Sequence, residues 1–255
     1  MREERFPISG APRVSFRLPL GNARIVAGAA GEVSVALDGR AATVSRFIIE
    51  MRGDELVVEP ERGSAIRWSG VDLTIRIGEP GQIRARLTSA DLKAETMLES
   101  LQVDSASGDL TIGEVLGDAT IHSASGDIRL GQVGGRLDTA AASGDIRADA
   151  VTGGASLKSA SGDVQIGDAA GDVMIKSASG DVTISRFDGS WLDVKTLSGD
   201  VTVGIVPGRR LDVSFQTLSG DVRNEFPIAP ASDGRTGRLT LKTVSGDIVV
   251  RGARG

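Results

Sequence analysis

The chain is 255 residues long, with no cysteine, two Trp, six Phe, no Tyr and a formal charge of −5. Without thiols there is no disulfide framework and no thiolate metal site. Dispersed Lys and Arg and so few aromatics give neither the basic field nor the stacking platform of a general nucleic-acid binder. No stretch approaches the roughly eighteen apolar residues of a membrane-spanning helix, and residues 1–7 lack an apolar signal core, so the expectation is a cytoplasmic protein with no transmembrane segment.

From the N-terminus, residues 14–18, 23–26, 32–37, 55–58 and 72–77 each alternate apolar and polar side chains between clusters of Gly, Pro or Asp. That two-residue period is the pattern of half-buried strands. Residues 1–88 read as a β-rich cap of degenerate repeats, because the end of a stacked β structure exposes unpaired backbone that something must cover. Ser89-Ala90-Asp91 is a degenerate copy of the motif that follows, and residues 89–255 read as regular repeats continuous with the cap in one body.

The motif is Ser-Gly-Asp. Its eight copies end at Asp109, Asp127, Asp145, Asp163, Asp181, Asp200, Asp221 and Asp247, and the first four intervals are eighteen residues. A fixed period of this size marks a repeat architecture whose units bury their apolar faces only against one another. Apolar side chains recur one, three and six positions after the Asp and three, six and eight before it; around Asp181 they are Val182, Ile184, Phe187, Ala178, Ile175 and Val173. Gaps of two are strand alternation. Wider gaps are corners, where Gly reaches positive φ and Asp or Ser bonds nearby backbone. Each unit therefore reads as two nine-residue halves, the second with a weaker turn such as Gly171-Asp172.

Frequent Gly and β-branched inward rows exclude helices. The expectation is an all-β, single-chain parallel β-solenoid with 18-residue coils made of two 9-residue halves. Lys158, Lys176, Lys195 and Lys242 each stand five before an Asp. Such a row suits coils lying over one another, whereas an antiparallel meander would scatter it. The three-before row changes from Ala in five successive units to Leu197, Leu218 and Val244, which predicts an interior that widens toward the C-terminus. The four-before row of Ser105, Ser123, Ser159, Ser177, Thr196, Thr217 and Thr243 is assigned to the outside. Thr139 and Asn224 interrupt apolar rows and predict local irregularity. A Pro- and Gly-rich break between Phe226 and Leu239, and a smaller one around Pro207 and Gly208, read as surface insertions.

The run Ser-Ala-Ser-Gly-Asp-Val-x-Ile at residues 159–166 and 177–184, with Gly-Asp-Val-x-Ile-Lys-Ser at 171–177, resembles the bacterial β-strand-repeat "putative adhesin" family over about residues 72–250. That is a domain family of unknown function. The resemblance implies a β-solenoid without an established enzymatic activity, some of whose relatives are associated with cell-envelope stress responses.

The Asp rows read as a structural turn ladder bonding corner amides. Calcium-binding rolls need an acidic, Gly-rich loop in both halves of the coil, and each half here has one short turn. A repeated array also lacks the single asymmetric cluster that catalysis needs. Asp233 and Arg235 in the C-terminal insertion are the one asymmetric charged pair, and chance accounts for them better than a site does. His122 takes the outward position of the Lys row, and Trp68 reads as a packing residue. Trp191 falls at a corner and is the candidate partner contact. The expected function is a non-enzymatic, cofactor-free structural or protein-interaction scaffold, binding an unidentified protein partner or its own copies as a homo-oligomer. The competing reading is an ion- or carbohydrate-binding, adhesin-like module using the outward Asp, Ser and Lys ladders.

Overall fold

The computed structural model describes residues 1–61, 69–207, 210–225 and 236–253. The chain divides into two compact units, Met1–Leu130 and Gly131–Gly255. Trp68, Gly208, Asp233, Arg235 and most of the C-terminal insertion lie outside the described residues.

The first unit contains β1 (Arg2–Pro7), β2 (Arg13–Ala27), β3 (Glu32–Gly39), a single-turn α1 (Ala41–Val44), β4 (Phe47–Arg52), β5 (Glu55–Pro60), β6 (Val71–Ile77), β7 (Gly81–Ser107), β8 (Leu110–Val115) and β9 (Ala119–Ser123). β2 is parallel to β5 and β6 on one side and to β7 on the other. Arg13 faces Glu55 and Gln82, and Asn22 faces Asp72 and Asp91. Antiparallel strands then close the stack, β4 on β5, β3 on β6 and β1 on β3. β8 and β9 add to β7 in parallel.

Next in the chain comes β10 (Ile128–Val133). The second unit then holds β11 (Leu137–Ala141), β12 (Ile146–Val151), β13 (Ala155–Ser161), β14 (Val164–Ala169), β15 (Val173–Ser179), β16 (Val182–Phe187), β17 (Trp191–Ser198), β18 (Val201–Ile205), β19 (Arg210–Gln216), β20 (Val222–Asn224), β21 (Thr236–Lys242) and β22 (Ile248–Gly252). All the registers within this unit are parallel. Lys158, Lys176, Lys195 and Lys242 stand side by side. An antiparallel meander is thereby ruled out; the fold is an all-β parallel solenoid.

Stacking departs from chain order at two places. β2 lies between β5–β6 and β7, both later in the sequence. β21 lies between β17 and β19, and β22 between β18 and β20, so Val201 and Val222 both face Ile248. The last segment of the chain is therefore the penultimate layer, and β19–β20 is the outermost coil.

One row assignment is corrected. Ser105, Ser123, Ser159, Ser177, Thr196 and Thr243 are buried, whereas Ala106, Ala124, Ala142 and Ala160 are exposed. Strand alternation runs unbroken through eight, six and four residues before the Asp, so the chain turns only after the Ser or Thr, and the next side chain points out. In some coils the inward hydroxyl serves the corner: Ser177 Oγ donates to the Ser179 carbonyl at 3.2 Å and Thr196 Oγ1 to that of Ser198 at 3.0 Å. The interior consequently does not widen through Leu197, Leu218 and Val244, which lie outside.

Beneath the outermost coil the rest of the inward set is Val, Ile, Leu, Ala and Phe187, largely buried, and each larger buried side chain contributes about 1.5–3 kcal/mol. Thr139 causes no irregularity. It stays in register with Leu157, with a buried hydroxyl that has no partner. Registers shift instead between Ala94 and Met97 and between Ile184 and Phe187. Asn224 pairs with Val250 in the exposed outermost coil.

Candidate functional site

At each Ser-Gly-Asp corner the Gly takes a positive φ, +114° at Gly180, and a Cβ there would lie 2.3 Å from the Gly162 carbonyl oxygen. Both conformation and space demand glycine. The turn pulls one backbone carbonyl out of the ladder, and the Asp side chain takes its place. In the first unit the Asp109 amide donates to Asp91 Oδ1 and the Asp127 amide to Asp109 Oδ1, each at 2.9 Å. In the second unit the column runs from Asp145 through Asp163, Asp181, Asp200 and Asp247 to Asp221, at 2.8–3.0 Å. The amide after each Asp returns a bond to the neighbouring Asp carbonyl, as Val182 does to Asp200. Arg129 and Arg147 hold the second oxygens of Asp127 and Asp145 at 2.7 and 3.1 Å.

The opposite corner uses the same device at Trp191, whose amide donates to Asp172 Oδ1 at 2.9 Å, with the residue half-buried. His122 is exposed beside Asp104, Nδ1 to Oδ1 3.2 Å. Among the described residues no three His, Asp or Glu side chains group as a metal ion would need. Nor is any helix there long and apolar enough to cross a membrane.

Two features were not anticipated from sequence. The first is apolar. Leu197 is 61% exposed, Leu218 78% and Val244 43%, on three stacked coils in the spatial order β17, β21, β19. Beside them the outermost coil leaves Val213 38% and Val222 44% exposed, at positions buried elsewhere. The signal was present as a change from Ala to Leu in one row, but the row had been placed inside.

The second is basic. β2 and β7 bring Arg17 opposite Arg86, and Ser15 opposite Arg84. These arginines line a cleft of about 250 Å³ together with Arg52, Glu55 and Glu59. Arg52 is neutralised by Glu50 and Glu59 at 2.6 and 2.7 Å; hydrogen bonds to Glu50 and then Glu59 raise its pKa further above the usual guanidinium range. Positions 17 and 86 are far apart in the chain, and only the strand register reveals the cluster.

The Toastrack DUF4097 family model matches residues 32–251, most of the solenoid just described. The chain belongs to this family. No curated protein matches it. Several solved structures match nearly all of it. The "putative adhesin" of Bacteroides fragilis has 13% identity and a TM-score of 0.42, covering 98% of this chain and 96% of that one. The "putative adhesin" of Parabacteroides merdae has 9% identity and a TM-score of 0.42, with 98% and 95% covered. A "putative lipid binding protein" of Parabacteroides distasonis has 11% identity and a TM-score of 0.39, with 97% and 96% covered.

Proposed function

We propose that this Toastrack protein is a non-catalytic scaffold that pairs with a second copy of itself through the outermost coil of its second unit. The observation that carries the reading is the exposed edge of β19–β20, where Val213 and Val222 of the inward rows meet solvent next to Leu197, Val244 and Leu218. Among the described residues, β19 pairs only with β21 and β20 only with β22. Among the described residues no amide donates to the Asp221 carboxylate, unlike that of Asp247.

A second copy suits this edge because coil-on-coil packing is already the chain's own mode of burial. β19 reads Leu211, Val213, Phe215 about its centre, so a two-fold axis at Val213 sets Leu211 against Phe215 of the copy and Asp212 against Ser214. Apolar rows meet and no like charges face. The edge at β1 is unlike it, carrying Arg2–Glu4 and Arg5–Glu3 ion pairs and Pro7, features that discourage strand pairing. Trp191, two strands in from this edge on β17, is the candidate for a further contact in this reading.

Light scattering coupled to size exclusion tests it. The protein at about 50 µM elutes as a dimer, and Val213→Asp, which places two carboxylates at the axis, elutes as a monomer with an unchanged circular dichroism spectrum. A monomeric parent, or a dimer indifferent to Val213→Asp, overturns the proposal.

A further inference from the structure

We infer that the cleft lined by Arg17, Arg84 and Arg86 binds a tetrahedral oxyanion of the phosphate type. The inference is independent of self-association. Arg17 and Arg86 are direct cross-strand partners on the outward face, and Arg84 stands two residues along the same strand and face as Arg86. Like charges at directly opposed positions of a sheet are unfavourable. Here, among the described residues, the one internal counter-ion is distant. Arg17 makes no hydrogen bond or ion pair among the described residues. Arg84 bonds only to the neutral Gln102 amide oxygen at 3.2 Å. Arg86 reaches Asp104 at 4.0 Å, and Asp104 is already shared with His122.

Several outward arginines elsewhere are paired closely, as Arg13 is with Asp54 at 2.7 Å and Arg24 with Glu95 at 3.1 Å. In the cleft itself Glu59 is occupied by Arg52. Glu55 is the remaining carboxylate lining it, one negative charge facing three guanidinium groups of which only Arg86 has a carboxylate as near as 4.0 Å. Neighbouring strands lie about 4.8 Å apart, and residues two apart on a strand about 6.6 Å. Three planar forks on that grid can present several N–H donors to one small, multiply charged oxyanion, and Arg is the side chain suited to such bidentate contacts. A carboxylate has too few oxygens to engage all three forks, so a phosphate group fits better.

The phosphate could be free or carried on a lipid headgroup, and the experiment separates the two. Inorganic phosphate is titrated into the protein at low ionic strength by calorimetry, and melting temperature is followed in parallel. Cosedimentation with vesicles of phosphatidylcholine, with and without phosphatidic acid, forms the second arm. The parent binds phosphate and melts higher in its presence; Arg17→Gln/Arg86→Gln weakens binding at least tenfold and abolishes the thermal shift. The distant Arg238→Gln behaves as the parent does. Cosedimentation that requires phosphatidic acid and is lost in the double variant assigns the headgroup, whereas phosphate binding without cosedimentation assigns the free anion. Absence of binding in both arms, or binding unchanged in the double variant, overturns the inference. Because Arg17 and Arg86 are exposed, the double variant keeps its fold, and its melting temperature without phosphate checks this.

Discussion

Replacing Asp181 distinguishes an acid that holds a corner together from one that serves an ion. Its Oδ1 accepts the Asp200 amide at 2.8 Å, while its own amide donates to Asp163. In Asp181→Ala the Asp200 amide loses its partner, a cost of about 1–2 kcal/mol that access of water to the corner limits. In Asp181→Asn the acceptor oxygen remains. Carboxylates of successive coils about 4.8 Å apart repel by about 0.9 kcal/mol per neighbour in water, less with screening. Removing one charge from between Asp163 and Asp200 therefore offsets the weaker bond of a neutral acceptor. The expected order is Asn within about 0.5 kcal/mol of the parent, and Ala about 1 kcal/mol or more below both. Asn22, which faces Asp72 and Asp91, shows an amide in such a row, donating its Nδ2–H to Asp72 Oδ1 at 2.7 Å. Urea midpoints at constant m-value measure the order. If Ala is as stable as Asn, the amide-to-carboxylate bond is not what the Asp supplies.

Gly180→Ala forces a side chain into a left-handed backbone and against a carbonyl oxygen, so it lowers stability by about 2 kcal/mol or more. Gly113→Ala, whose Cβ would make an ordinary 3.5 Å contact, stays within about 1 kcal/mol of the parent in the same thermal melts. Ser177→Ala loses the bond to the Ser179 carbonyl and costs about 1 kcal/mol, whereas Ser159→Ala, which removes a buried hydroxyl without a partner, is neutral or stabilising by urea titration. Hydrogen bonds from Lys93 and then Arg24 hold the Glu95 carboxyl below its ordinary range. A depressed folded-state pKa gives stability that is present above the unfolded value, about 4.3, and is lost as pH falls through the folded one. Melting temperatures across the acid limb should therefore fall slightly less steeply in Glu95→Gln than in the parent.

The solenoid was legible because its evidence is repetition. Val182 and Ile184 recur in kind at every unit, and Lys158, Lys176 and Lys195 do stand in register. The inside-outside assignment of one row was not legible, because small residues carry little hydropathic contrast. Ala178 and Ser177 are adjacent, and only the corner geometry decides that the serine turns inward. The layer order of Asp221 and Asp247 was not legible, since nothing in the motif marks an intercalated coil. The arginine cleft left no local trace, because its members meet through the pairing of β2 with β7, and that pairing places residue 17 beside residue 86.

Intercalation of β21–β22 between two coils made earlier in the sequence bears on the order of assembly. The coil at residues 210–224 cannot take its observed place until residues 236–252 have been made, because they build the layer on which it rests. In the second unit an outer layer waits for a segment synthesised after it.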